Sequence, residues 1–147
     1  MKEFHLNIVH AVVSALQQIF EENKYADKVI EKLLRSNPKW GSRDRKFIAE
    51  TTYRLLRYVQ NPESEIATNH WHTLAAWFVI SKQGFPQWKE FSGINQKQIL
   101  ENFENANKVR ALRESIPNWM DALIGAELGD ATWEKEVGFL NNQASVV

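Results

Sequence analysis

Apolar residues recur along this chain at intervals of three and four positions, as in amphipathic helices, and show no convincing two-residue alternation of the kind found in half-buried strands. Asn37-Pro38 and Asn61-Pro62 stop two of these patterns, because a residue before proline disfavours the α region. The pattern predicts an all-α fold, a compact bundle of six or seven helices. Their expected ranges are 4–22, 25–36, 42–60, 63–83, Ile99 to Leu112, Pro117 to Gly129 and a short helix over 132–141.

Two of the predicted helices have faces that suggest their place in the bundle. The stretch TLAAWFVI, over 73–80, is apolar nearly all round, which is typical of a helix buried on several sides. We therefore expect the fourth helix to be central. In the sixth, Pro117 fits the first turn, and Trp119, Leu123 and Leu128 are expected to point inward.

Length and composition fit one domain with a substantial core, since the 147 residues are 44% hydrophobic and 12% aromatic. The chain has no cysteine, which removes disulfides, thiolate nucleophiles and cysteine-ligated zinc and is compatible with the cytoplasmic location that we expect. Polar His5, Asn7 and His10 interrupt the N-terminal apolar stretch, which therefore predicts an amphipathic helix rather than a signal peptide. No apolar run reaches the ~18 residues of a membrane span.

The net charge of zero conceals an asymmetry along the chain. Residues 1–60 contain 11 Lys and Arg against 7 Asp and Glu, whereas residues 61–147 contain 7 against 11. The basic excess lies mainly between Lys32 and Arg57. Such an asymmetry indicates contact with a polyanion on one side of the molecule.

The third predicted helix concentrates this charge on one side. On a helical wheel Lys46, Arg54 and Arg57 fall within about 60° of Arg43, beside an apolar arc. Cations at helical intervals can follow a phosphate backbone, and nearby aromatic rings can stack on unpaired bases. Trp40 and Tyr53 are the candidates for stacking, and Trp88, also in a predicted loop, is a further candidate for partner contact. The predicted RNA-binding residues are Lys39, Arg43, Arg45, Lys46, Arg54 and Arg57.

The alternative interpretation of this helix is a solvated face whose arginines pair with Glu50 and with carboxylates on neighbouring helices. Two residues at its start are assigned structural roles. Ser42 is a plausible N-cap, and Asp44 complements the positive end of the helix dipole or pairs with an arginine.

The sequence offers little that supports catalysis. It has no Gly-x-Ser-x-Gly element, no believable Ser-His-acid set and no glycine-rich phosphate loop. His70 and His72 are two positions apart, about 200° on a helix, so they do not share a metal ion, and we expect structural or surface roles for them. We therefore expect neither a catalytic residue nor a metal site, and the remaining tryptophans are expected to pack in the core.

Two segments carry a resemblance to a known family. The run from Leu33-Leu34-Arg35 through Ser42-Arg43-Asp44-Arg45-Lys46-Phe47-Ile48 to Tyr53-Arg54-Leu55-Leu56-Arg57 resembles the NusB-like N-terminal domain of the Sun/Fmu (RsmB-type) RNA cytosine-C5 methyltransferases. The run from Ser115-Ile116-Pro117-Asn118-Trp119-Met120 through Glu127-Leu128-Gly129 to Trp133-Glu134 and Leu140-Asn141 resembles the helical linker before the catalytic domain of that family. The region 60–110 resembles nothing that we can name.

The resemblance implies a NusB-like helical RNA-binding domain over 1–112 and, over 113–147, a linker that leads into a methyltransferase domain absent from this chain. The parent enzyme would transfer a methyl group from S-adenosylmethionine to C5 of a cytosine in rRNA or tRNA. The chain itself is then expected to bind no cofactor and to be no enzyme. Its expected partners are RNA, with rRNA as the first candidate, and the downstream catalytic domain.

Two other functions stay open at this stage. The chain can be a helical protein-interaction module, or a free-standing transcription antitermination factor of NusB type. Salt-sensitive RNA binding that depends on Arg43, Lys46, Arg54 and Arg57 distinguishes the RNA-positioning domain from the interaction module.

Overall fold

The computed structural model describes residues 4–59, 69–142 and 144–145, and within these ranges all regular structure is helical. The all-α prediction is therefore confirmed. The described helices are α1 (Leu6–Phe20), α2 (Ala26–Ser36), α3 (Ser42–Val59), α4 (His70–Ile80), a 3-10 turn (Lys89–Phe91), α5 (Gln96–Asn107), α6 (Arg110–Glu114), α7 (Asn118–Leu128) and α8 (Asp130–Leu140). None of them is both long and apolar enough to cross a membrane.

The fourth and fifth helices differ from their predicted ranges. The helix predicted over 63–83 begins at His70, where the Asn69 side chain caps it by accepting from two backbone amides; residues 60–68 lie outside the described ranges. The helix predicted from Ile99 to Leu112 is two helices, because the chain turns extended at Val109 between α5 and α6. Asparagines at 105 and 107 favour a helix end at this point.

The main core lies among the first four helices, and α1 packs against α2, α3 and α4. Phe78 of α4 is fully buried, with ring centroids of Phe4, Phe91 and Trp88 at 5.1, 5.8 and 6.1 Å. The central, buried position expected for the fourth helix is therefore correct. Trp88 lies in a loop, as predicted, and packs partly buried against this core.

His70 has a structural environment at the beginning of α4. Its side chain is only 6% exposed, its Nε2 lies 2.9 Å from Glu21 Oε1, and its ring stacks on Phe20. His72 is exposed. Among the described residues, no group of three or more His, Asp or Glu lies close enough together to hold a metal ion.

The three C-terminal helices form a separate packing unit around a charged cluster. Arg110 of α6 donates to Asp121 of α7 at 2.6 Å and to Asp130 of α8 at 2.9 Å, and Trp133 Nε1 also donates to Asp121, at 2.8 Å. The side chains of Arg110 and Asp121 are only 17% and 19% exposed. These bonds hold α6, α7 and α8 together where α7 turns into α8 at Gly129.

Contacts within the same unit lower the pKa values of two carboxyl groups. The hydrogen bonds from Arg110 hold the pKa of Asp121 below its ordinary value, against the opposing effect of burial. Burial alone would raise the pKa of Glu114, but hydrogen bonds from Asn141 and Arg113 outweigh it and lower that pKa. The hydrogen bonds that Arg110 donates to Asp121 and Asp130 raise the pKa of Arg110. Both carboxylates are therefore charged at neutral pH and stabilise the unit in that form.

The inward orientation predicted for Trp119, Leu123 and Leu128 is wrong. All three are exposed, Trp119 by 66% and Leu123 by 54%. The inward side of α7 is instead the side that carries Asp121 and Gly125, because Arg110 and Trp133 approach α7 there.

Candidate nucleic-acid interface

One face of α3 is exposed along the whole helix, and its residues are mostly cations. At 100° per residue this face covers an arc of about 100°, and between its first and last residues the helix rises about 21 Å. The opposite side is buried, with Ile48, Thr52 and Leu55 almost fully covered. We call the exposed side the basic face; it consists of Arg43, Lys46, Glu50, Tyr53, Arg54 and Arg57.

The cations of the basic face differ in how far they are already paired. Lys46 Nζ lies 3.8 Å from Glu50 Oε1, and both side chains are well exposed. Arg57 donates to the backbone carbonyl of Asn141, at 3.3 Å, just beyond the end of α8. For Arg43 and Arg54 no hydrogen bond or ion pair occurs among the described residues. The alternative interpretation expects arginines to pair with Glu50, but among the described residues Lys46 is the residue that pairs with it, and Arg43 and Arg54 stay available.

The beginning of α3 is capped by a different residue from the one predicted. The carbonyl of Gly41 accepts from the Arg45 amide at 3.0 Å, so Gly41 occupies the N-cap position and Ser42 is the first helical residue, which corrects the N-cap role assigned to Ser42. Asp44 Oδ2 accepts from the Gly41 amide at 3.2 Å. Asp44 therefore has a structural contact in the first turn, where its charge also complements the helix dipole.

Arg45 does not belong to the basic face, which corrects its assignment as an RNA-binding residue. It points back towards α2 and donates to three backbone carbonyls, those of Leu34 at 2.8 Å, Trp40 at 2.9 Å and Asn37 at 3.3 Å. The Leu34 carbonyl lies in the last turn of α2, where carbonyls have no partner within the helix, and the planar guanidinium binds it together with two carbonyls of the following loop. Arg45 thus fixes the loop between α2 and α3 and is not free to neutralise phosphate.

The two aromatic candidates have different surroundings. Trp40 packs partly buried against the core, and its enclosed indole Nε1 has no hydrogen-bond partner in the described part of the chain, so its assignment as a stacking residue is corrected. Tyr53 lies on the basic face between Lys46 and Arg57, and its side chain is 50% exposed. Its ring is thus the aromatic surface that the basic face offers to an unpaired base.

Lys39 lies at the edge of this region. It is exposed in the loop between α2 and α3, where its backbone amide donates to Asn37 Oδ1 at 3.1 Å. Its ammonium group has no carboxylate partner among the described residues, so it extends the positive charge of the face beyond the N-terminus of α3.

A further set of polar residues links the basic face to the C-terminal unit and was missed in the sequence. Asn141 offers its carbonyl to Arg57, and its side-chain amide donates to Glu114 Oε2 at 2.7 Å. Arg113 in turn binds both Glu114 and Glu134. The only signal in the sequence was the excess of acids over residues 61–147, which does not reveal contacts between residues 84 positions apart.

The exposed groups of this surface are of the kind that binds a flexible polyanion. Exposed arginine and lysine side chains neutralise phosphates and release counterions, and a half-exposed tyrosine adds a stacking surface. Compared with protein-family models, curated proteins and solved structures, the chain matches none of them.

Proposed function

We propose that the chain is a non-catalytic RNA-binding domain and that it holds RNA on the basic face of α3. The observation that carries the proposal is that four cations and an exposed tyrosine occupy one arc of a single helix, with Arg43 and Arg54 unpaired among the described residues. The exposed tyrosine adds a stacking surface to the cations that neutralise phosphate.

The chemistry of the face favours single-stranded RNA. A base can reach the Tyr53 ring only when it is not stacked within a duplex, and A-form duplexes have a major groove too deep and narrow for side chains to read. Glu50 lies in the middle of the face and repels phosphate, so the affinity of the isolated chain is expected to be modest.

The resemblance to Sun/Fmu proteins supports a more specific form of the proposal. In it, the chain positions an rRNA or tRNA for an S-adenosylmethionine-dependent cytosine-C5 methyltransferase domain, which contributes the cofactor site and the catalytic cysteines. The chain would then supply affinity and orientation while the catalytic domain supplies the chemistry.

Fluorescence anisotropy with a labelled single-stranded oligouridine tests the proposal, at 50 mM and at 200 mM salt. If only the two unpaired arginines neutralise RNA phosphates, the slope of log K for RNA binding against log salt is about −1.4. If all four cations of the face do so, the slope is about −2.8. The second value corresponds to a roughly 50-fold loss of affinity between the two salt concentrations. The same titration is made with a variant of the basic face in which alanine replaces Arg43, Lys46, Arg54 and Arg57.

A matched control removes the same amount of charge from other exposed sites, by alanine replacement of Lys28, Lys97, Lys108 and Lys135. The proposal predicts that the variant of the basic face loses salt-dependent binding while the control keeps most of it, with both proteins folded by circular dichroism. Equal losses in the two variants would mean that only net charge matters. No binding by the wild-type chain would contradict the proposal directly.

A further inference from the structure

The α7 helix has its apolar side outward. Four residues, Trp119, Ala122, Leu123 and Ala126, are exposed and fall within an arc of about 100° on the helical wheel. Their spacing, i, i+3, i+4 and i+7, is the one by which helices pack their apolar stripe into a core. We call these four residues the α7 stripe.

The orientation of α7 is fixed by strong contacts on its other side. Asp121 is bound by Arg110 and Trp133, and a side chain larger than hydrogen at Gly125 would lie 3.1 Å from Asp130 Oδ1 and 3.2 Å from Arg110 Nη2. Turning the α7 stripe inward would break these bonds and leave a carboxylate and a guanidinium without partners. The stripe therefore remains outward in the folded chain.

The shape of the α7 stripe suits another helix. Trp119 and Leu123 are large and lie one turn apart, and the two alanines beside them are small enough for side chains of a second helix to approach closely. Helix-in-groove recognition uses anchors at this same spacing.

Charge indicates the chemistry of the partner. Residues 110–145 contain three cations and six carboxylates. Arg110 and Arg113 pair with four of these carboxylates, whereas Glu127, Glu136 and Lys135 have no ion-pair partner among the described residues. Glu127 follows Leu123 by one helical turn, so an unpaired negative charge lies at the edge of the stripe.

The same charge argues against two other occupants. A second copy related by a two-fold axis would bring like surfaces together, and with them the acids of both copies. An anionic lipid surface would also be repelled, since helices that lie on such membranes carry cations on their polar face.

We propose that the α7 stripe is a docking site for a basic amphipathic helix of a protein partner. The apolar side of that helix covers Trp119 and Leu123, and a lysine or arginine beside it pairs with Glu127. This site is separate from the basic face of α3, and the inference does not depend on RNA binding.

The test uses the full 147-residue chain and two labelled synthetic peptides, each long enough for about four helical turns. Both peptides carry leucine at helical spacing; one has lysine at all other positions and the other has glutamate. Fluorescence anisotropy measures their binding to the wild-type chain and to Leu123→Asp, Glu127→Lys and Leu100→Asp. Leu100 is a comparably exposed leucine of α5, and its variant is the matched control.

We expect the lysine peptide to bind the wild-type chain and the Leu100→Asp control alike, and to bind Leu123→Asp at least about tenfold more weakly, as for a central interface anchor. Glu127→Lys is expected to weaken the lysine peptide and to strengthen the glutamate peptide. RNA affinity of Leu123→Asp should be unchanged.

Three results would overturn the proposal. The first is absence of lysine-peptide binding by the wild-type chain. The second is equal binding by Leu123→Asp and by the control. The third is a wild-type chain that sediments as a dimer and becomes monomeric in Leu123→Asp, because the stripe would then hold a second copy.

Discussion

Glu50→Gln is expected to make the chain bind single-stranded RNA more tightly. Glu50 is the one anion of the basic face, and its carboxylate lies 3.8 Å from Lys46 Nζ. The amide keeps the size of the side chain but removes its charge. Lys46 then becomes available to neutralise a phosphate, and the repulsion between Glu50 and the phosphate backbone disappears.

The gain in RNA affinity depends on how many salt counterions the RNA releases when it binds. One additional lysine contact to a single strand changes the slope of log K against log salt by about −0.7. Relative to a reference at 1 M salt, where this contribution vanishes, the gain in affinity is about eightfold at 50 mM and about threefold at 200 mM. The variant should therefore differ from the wild type most at low salt.

The chain contains a close control for this substitution. Lys97 and Glu101 of α5 form a pair with the same i, i+4 order, an N–O distance of 3.9 Å against 3.8 Å, and a Glu exposure of 52% against 54%. Glu101→Gln removes the same charge from the same kind of pair outside the basic face. Anisotropy titrations of an oligouridine at several salt concentrations compare the two variants with the wild type.

The result that refutes the reasoning is equal behaviour of the two variants. If both gain the same affinity, the effect comes from net charge alone. If neither changes the slope, removal of the Glu50 charge adds no phosphate contact by Lys46. A steeper slope confined to Glu50→Gln is the result that the basic face predicts.

Three further predictions concern the contacts that surround the basic face. Arg45→Ala is expected to lower the free energy of unfolding in urea by about 1.5–3 kcal/mol, because three backbone carbonyls lose a charged donor. The slope of log K against log salt for RNA binding should stay the same. A changed slope would mean that Arg45 does contact RNA. Tyr53→Ala should weaken oligouridine binding about fivefold or more, the loss of one stacked base, whereas Trp40→Phe should leave it unchanged; the reverse order would contradict the assignment of the two rings. Because the folded-state pKa values of Asp121 and Glu114 are lowered, the stabilisation that these carboxylates contribute is present above the ordinary carboxyl pKa of about 4 and is lost as the pH falls through the folded values. The free energy of unfolding in urea should therefore fall in acid, and it should fall less in the double variant Asp121→Asn/Glu114→Gln. An identical fall in the wild type and the double variant would show that other carboxyl groups are responsible.

Helical periodicity was sufficient to predict the basic face, because both exposure and charge repeat with the turn of α3. Arg45 and Trp40 were assigned to RNA binding for reasons other than this periodicity. Arg45 lies about 160° from Arg43 on the wheel, on the side of the buried Thr52, so the wheel itself separates it from the basic face. The carbonyls that it binds belong to the end of α2 and to the loop, which a wheel does not include. Trp40 lies in the loop between α2 and α3, outside any helical pattern, so its packing against the core depends on the tertiary arrangement of that loop.

The C-terminal unit shows a second kind of limit. The spacing of Trp119 and Leu123 identified an apolar stripe correctly, but spacing does not say what covers a stripe. The orientation of α7 is determined by Arg110, which binds carboxylates 11 and 20 positions further along the chain. Such long-range pairs between charged residues leave no periodic signal in a sequence.

The most direct test of RNA binding by α3 is an amide nitrogen–proton NMR titration of the wild-type chain with oligouridine at 50 mM salt. The proposal predicts that the shifted amides cluster on the exposed turns of α3 from Arg43 to Arg57, and that the shifts reverse as salt is added. Shifts that cluster on α7 around Trp119 instead, or none at saturating RNA, would contradict it.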